Sequence, residues 1–187
     1  MTKTSRPLRG VLFDVDGTLV DSNYLHTVAW WQAFRRLDYD IPMANIHRAI
    51  GMGGDKLIGH VLGSGPEPEV EEKLDSSHGA IFSPSWPALR AFDGAAELLR
   101  ACASRDLAVV LASSASEPEL QALRRAIDAD DAITSATSSS DAQESKPAPD
   151  ILQAALDSAE LEAGATVFVG DSVWDVLSAA ALGIPTI

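Results

Sequence analysis

Hydrophobic positions along this chain fall into short runs set between longer stretches of helical spacing. Four runs, each closed by small or acidic residues, stand out: Val11-Leu12-Phe13, Ala108-Val109-Val110-Leu111, Thr166-Val167-Phe168-Val169 and Ile184-Pro185-Thr186-Ile187. Apolar runs this short, without polar alternation, predict strands buried on both faces, as in a parallel sheet. Between them the spacing predicts helices from Ala95 to Ala103, Glu117 to Ala126, Ile151 to Ala159 and Val173 to Leu182; Ile151, Leu152, Ala155 and Leu156 share one stripe. A weaker strand is expected at Ala132-Ile133-Thr134. Strand alternating with helix implies right-handed crossovers and an α/β architecture with a doubly wound parallel sheet.

The alternation breaks once, between about Asp21 and Phe92, a stretch of roughly seventy residues. An insertion explains this, and its content is helical. Ser22 is placed to cap a helix running through Trp30 and Trp31 to Arg36, Pro42 opens another toward Ile50, and a third spans Asp55 to Leu62. The expected division is therefore an α/β core over residues 1–20 and 93–187 with a small helical cap over 21–92. Ser135 to Ser145 reads as a polar loop.

Composition narrows the function classes. Of 187 residues, 46% are hydrophobic and 22% charged, the balance of a globular protein with a buried core. A net charge of −13 with only four lysines argues against nucleic acid and against anionic membranes. An anionic substrate would need local cations or oriented N–H groups to overcome that field. Cys102 is the single cysteine, which excludes an intramolecular disulfide and a thiolate metal cluster. The N-terminus lacks the apolar run of a signal peptide and no stretch is long enough to span a membrane, so a cytoplasmic protein is expected. Oligomeric state is not written in the sequence.

Candidate chemistry gathers where strands end. Asp14 and Asp16, in Asp14-Val15-Asp16-Gly17-Thr18, follow the first run directly, at the edge where open α/β sheets place their ligand crevice. Two acids that close shift each other's pKa, which suits one as nucleophile and one as proton donor; an Asp-Gly turn alone serves equally as a plain turn. Ser113 and Ser114 end the second run just ahead of a helix, as an anion site or as caps. Lys146 precedes the rigid Pro147-Ala148-Pro149 segment. Asp171 and Asp175 stand four apart at a helix start; capping accounts for Asp171 but leaves Asp175 to be explained, and a hard cation such as Mg²⁺ would unite Asp171 with Asp14 and Asp16.

The order DVDGT, LASS, KPAP, GDSVWD, each at a strand end or helix start, resembles the four motifs of the haloacid dehalogenase superfamily, and the resemblance covers nearly the whole chain. It implies a Rossmann-like core, a helical cap after the first strand, and a phosphatase acting on a small phosphorylated metabolite. Asp14 would be the nucleophile and Asp16 the acid and base. Ser113, Ser114 and Lys146 would hold the phosphoryl oxygens. Mg²⁺ would be bound by Asp14, the Asp16 carbonyl and Asp171, with Asp175 behind them. The final strand is usually followed by further residues in related proteins, so the C-terminal part of the core looks short. A sugar phosphomutase and a catalytically silent phosphometabolite-binding protein are the alternatives; a dehalogenase would have no use for Asp16.

His26 is a candidate substrate contact, resembling the histidine that some sugar phosphomutases place there, although a helix-face histidine needs no role. His47, His60 and His78 show no ligand spacing and are expected on the surface or in the cap. Trp30, Trp31 and Trp86 belong either to the cap's own core or to a substrate pocket.

Overall fold

The structure, a computed structural model, describes residues 7–187. The first six positions of the stretch read above for targeting signals and as the start of the core lie outside them. Four parallel strands form one sheet in the order β3-β2-β1-β4, with β1 Gly10–Phe13, β2 Ala108–Ala112, β3 Ser135–Thr137 and β4 Thr166–Val169. β1 is central, with Phe13 in register with Leu111 on one side and Val169 on the other. Because side chains alternate across a strand, Val11, Phe13, Val109 and Leu111 enter one core cluster while Leu12, Val110 and Phe168 enter a second. Fully buried side chains such as Phe13 and Phe168 each contribute roughly 1.5–3 kcal/mol relative to exposure.

Helices occupy the stretches expected, with one more at Pro68–Phe82. After β1 come α1 Asn23–Arg36, α2 Met43–Ala49, α3 Gly54–Leu62 and α4 Pro68–Phe82; α5 Ala95–Ala103 precedes β2, α6 Glu117–Ile127 follows it, and α7 Asp150–Ser158 and α8 Val173–Ala181 flank β4. Helices α1 to α4 enclose a third core of Trp30, Phe34, Ile46, Leu57, Ile58 and Leu74. The two chain crossings between sheet and bundle pair with one another: Asp21 N–H donates to Arg90 O at 3.0 Å and Phe92 N–H to Leu19 O at 2.9 Å. None of the described helices is long and apolar enough to cross a membrane.

Four local expectations change. The third strand lies at Ser135–Thr137, inside the stretch read as polar loop, while Asp130–Ala132 forms a 3₁₀ turn. β3 is an edge strand and only part-buried, so it needs no apolar run. The 184–187 stretch is not a buried strand. It does run parallel beside β4, with Phe168 N–H donating to Pro185 O at 2.9 Å, Ile187 N–H to Phe168 O at 2.9 Å and Gly170 N–H to Ile187 O at 3.2 Å, but Ile187 is 77% exposed. Ser22 stands at the start of α1 without a side-chain capping bond. Helix α4 went unread, since Gly63, Gly65, Pro66 and Pro68 mark a break and its buried stripe is only Leu74, His78 and Phe82.

Candidate active site

Asp14 lies one residue beyond β1, in the middle of the sheet, and its side chain is 8% exposed. Lys146, placed by the turn before α7, reaches it from the far side of the sequence: Nζ is 2.5 Å from Asp14 Oδ1 and 2.9 Å from Asp175 Oδ1. The lysine is itself buried, with its ammonium 5.3 Å from the centroid of Phe168. Burial works against its charge, but Asp14 and Asp175 more than offset that and raise its pKa. It is a fixed cation.

The capping part that spacing offered to Asp171 falls to Asp175, while Asp171 stays beside Asp14. Asp175 caps α8: its Oδ2 accepts from Ser172 N at 3.0 Å and Ser172 Oγ at 2.6 Å, while Ser172 Oγ accepts from Asp175 N. With its other oxygen on Lys146, both Asp175 oxygens are committed. Asp171 stays solvent-exposed, accepting from Asn23 Nδ2 at 2.8 Å and Thr18 Oγ1 at 3.4 Å. Thr18 Oγ1 also lies 3.2 Å from Asp14 Oδ2, so one hydroxyl spans the two acids. Gly17 makes this approach possible. Its φ is +82°, and a Cβ there would run into Asn23 Nδ2 and Asp171 Oδ2.

Carboxylate oxygens of Asp14, Asp171 and Asp175 lie within 4.8 Å of one another. One lysine cannot neutralise three acids. Burial, with Asp175 and Asp16 adding to it, pushes Asp14 up to about 8 in spite of Lys146. The hard oxygen donors gathered here are of the kind that suits a cation such as Mg²⁺.

Asp16 belongs to a second polar group. Ser22 Oγ donates to its Oδ1 at 2.5 Å, which is why that hydroxyl does not cap α1. His26 Nε2 stands 3.2 Å from the same oxygen and 3.4 Å from Glu119 Oε1. His26 Nδ1 is 3.1 Å from His78 Nε2, and both rings are buried. Trp30 stacks on His78 at 4.1 Å and Phe82 on His26 at 3.9 Å, binding α1 to α4. His26 is therefore no idle helix-face residue, His78 is not on the surface, and Trp30 serves both the bundle core and the cleft.

The charges in this group follow from its contacts. Burial opposes the Asp16 charge, yet the bonds from His26 and Ser22 leave its pKa lowered. Burial opposes the His26 charge too, but Asp16 and then Glu119 bring its pKa above the usual value. His78 is held neutral, first by burial and then by His26. Burial raises Glu119 to about 7, with His26 opposing and Asp16 and Asp75 adding.

Ser113 and Ser114 follow β2 as expected. Ser113 Oγ accepts from Ala115 N–H at 3.0 Å, so its own proton remains to be donated. Ser114 Oγ is buried, has no partner among the described residues, and lines a cleft of about 700 Å³. That cleft runs from Asp14 and Asp16 to the walls of α3 and α4. Glu119 and His78 were missed by sequence reasoning, and no local pattern marks either: Glu119 sits in an ordinary acidic first turn, and His78 meets His26 across 52 positions.

An open parallel sheet whose strand ends gather carboxylates, hydroxyls and a buried lysine at one cleft is the framework of an α/β hydrolytic enzyme. The model of the haloacid dehalogenase-like hydrolases matches residues 8–183, and the chain belongs to that family. It is a hydrolase of phosphoric monoesters. Phosphoglycolate phosphatase of Rhodospirillum rubrum is 28% identical over 96% of this chain and 78% of its own length. Protein CbbY (plasmid) of Cupriavidus necator is 29% identical over 96% of this chain and 77% of its own. A hydrolase from Pseudomonas syringae superposes with a TM-score of 0.90 at 28% identity, covering 96% of this chain and 83% of that one.

Proposed function

We propose that this protein is a Mg²⁺-dependent cytoplasmic phosphatase that hydrolyses a small phosphorylated metabolite through an aspartyl-phosphate on Asp14. The observation that carries the reading is the buried Lys146 bound to Asp14 and Asp175 at 2.5 and 2.9 Å. It leaves the second Asp14 oxygen directed to Thr18 at the cleft. That oxygen attacks phosphorus, and the ester oxygen leaves with a proton delivered through Asp16. In the second half Asp16 takes a proton from the attacking water; for the first half His26 Nε2, 3.2 Å from Asp16 Oδ1 and with its pKa raised by that contact, supplies a proton beside it.

Lys146, the hydroxyl of Ser113 and the free hydroxyl of Ser114 receive the phosphoryl oxygens. Asp14, the Asp16 carbonyl and Asp171 would hold Mg²⁺, with Asp175 behind them. When bound, the ion supplies the positive charge that ionises Asp14 and offsets the phosphoryl group. Residues 21–92 act as a cap that closes on the cleft about the paired crossings at Asp21–Arg90 and Leu19–Phe92, excluding competing water.

A mutase cycle would need a second phosphate-binding cation, and no residue lining the cleft is Lys or Arg. Net hydrolysis is the expected outcome. The test is a panel of phosphate monoesters assayed for phosphate release with Mg²⁺ and with excess chelator. Release confined to the Mg²⁺ arm is expected; equal release in chelator would refute the metal assignment.

A further inference from the structure

The cleft that leads to Asp14 is more acidic than its chemistry requires. Beyond Asp14 and Asp16, its walls carry Asp55 from α3, Glu71, Glu72 and Asp75 from α4, and Glu119 from α6. The cations close by are engaged already: His26 Nε2 stands between Asp16 at 3.2 Å and Glu119 at 3.4 Å. Lys146 lies beneath Asp14 and is 1% exposed, and Lys56, beside Asp55 on α3, pairs with Glu144 at 3.1 Å.

These acids sense one another. Burial raises the Asp75 pKa and Asp55 raises it further; Asp75 and Asp16 likewise add to the burial that raises Glu119. Asp16, Glu119, Asp75 and Asp55 all line this one cleft and form its row of carboxylates. Asp75 has no hydrogen-bond or ion-pair partner among the described residues, and its Oδ1 lies against Gly54 beside the Trp30 ring. At the other end Ser114 Oγ, equally unpartnered, is left for a phosphoryl oxygen. A substrate seated with its phosphoryl group on Lys146 and Ser114 therefore directs the rest of the molecule at this row.

The row sorts leaving groups by charge. A carboxylate or a second phosphate would face Asp55, Glu71, Glu72 and Asp75 with no cation left free to meet it, a juxtaposition that suppresses binding. A neutral polyol gains hydrogen bonds only. An ammonium gains a partner in Asp75, relieves the repulsion along the row, and meets an indole suited to cations. Resting on the phosphatase reading above, we infer that the cleft selects phosphomonoesters whose leaving alcohol carries a cationic amine, as in amino-alcohol and amino-sugar phosphates.

The test uses esters that differ only in end-group charge. Phosphoethanolamine, hydroxyethyl phosphate and phosphoglycolate share a two-carbon frame that is cationic, neutral and anionic in turn. Glucosamine phosphate, glucose phosphate and phosphogluconate repeat the series on six carbons. kcat/KM is measured for each with the full chain in Mg²⁺, with p-nitrophenyl phosphate as reference. The amine is expected to exceed the carboxylate by about tenfold or more, equivalent to about 1.4 kcal/mol, with the neutral ester between them. Asp75→Asn should lower the amine-to-neutral ratio, and Asp75→Lys should move preference toward the carboxylate. Turnover of p-nitrophenyl phosphate with the carboxylate hydrolysed as well as the amine in both series would overturn this inference alone. No release from any ester, the reference included, would overturn the phosphatase reading and this inference with it.

Discussion

Replacing Glu119 with Gln should make the protein more stable at alkaline pH. The side chain is 13% exposed, and its surroundings raise the carboxyl from 4.5 to about 7, chiefly by burial, with His26 opposing and Asp16 and Asp75 adding. A carboxyl whose pKa is raised on folding binds its proton more tightly in the native state. Its contribution is fully present below about pH 4.5 and is lost as pH rises through about 7. At about 1.4 kcal/mol per unit, that loss is near 1 kcal/mol at about pH 5 and approaches about 3 kcal/mol at about pH 8. Gln copies the shape of the protonated acid and cannot ionise, so the variant should lack this slope. Urea unfolding of both proteins in chelator, at the two pH values, reads the difference directly. A variant equal to or weaker than the parent at about pH 8 would show that Glu119 is ionised without strain in the native site.

Three further outcomes follow from the same geometry. Asp14→Asn should reduce phosphate release to background while leaving the circular dichroism spectrum unchanged, because Asp175, the other acid on Lys146, has both oxygens committed; activity within about tenfold of the parent would contradict covalent catalysis. Lys146→Met strands Asp14 and Asp175 without their cation and should cost about 3–5 kcal/mol in chemical denaturation as well as turnover. Gly17→Ala forces a left-handed backbone on a residue with a side chain and displaces Asp171. A loss of about 1–3 kcal/mol is expected, together with a higher Mg²⁺ requirement in the activity titration; an unchanged Mg²⁺ titration would detach Asp171 from the ion.

The sheet was legible because its central strands are buried on both faces and so must be apolar throughout. Ser135–Thr137 escaped because an edge strand carries no such constraint. Helix α4 escaped for a different reason: it buries one residue per turn, and one of those, His78, is polar. Within the site, everything adjacent to a strand end could be read from the chain, since topology alone brings strand ends together. What could not be read is which carboxylate oxygen faces which donor. Asp175 rather than Asp171 joins the helix cap because Ser172, lying between them, is the N-cap and pairs with it. The His26–Asp16–Glu119 contact joins α1, the loop after β1 and α6, and arises only when the bundle packs on the sheet.

The central position of β1 has a consequence for how the chain is made. This strand is synthesised first, yet its neighbours are β2, starting at residue 108, and β4, starting at residue 166. On the ribosome Val11, Leu12 and Phe13 emerge with both strand edges open, while α1 to α4 already contain enough apolar surface to close a core of their own. Lys146 meets Asp14 across 132 positions, so the cation that steadies the buried acid arrives late. The order of synthesis predicts a nascent state with a folded helical bundle attached to an unpaired, apolar strand. That state is the point at which a crowded cell would lose molecules to aggregation, and chaperone dependence of the yield should track the delay before β2 emerges.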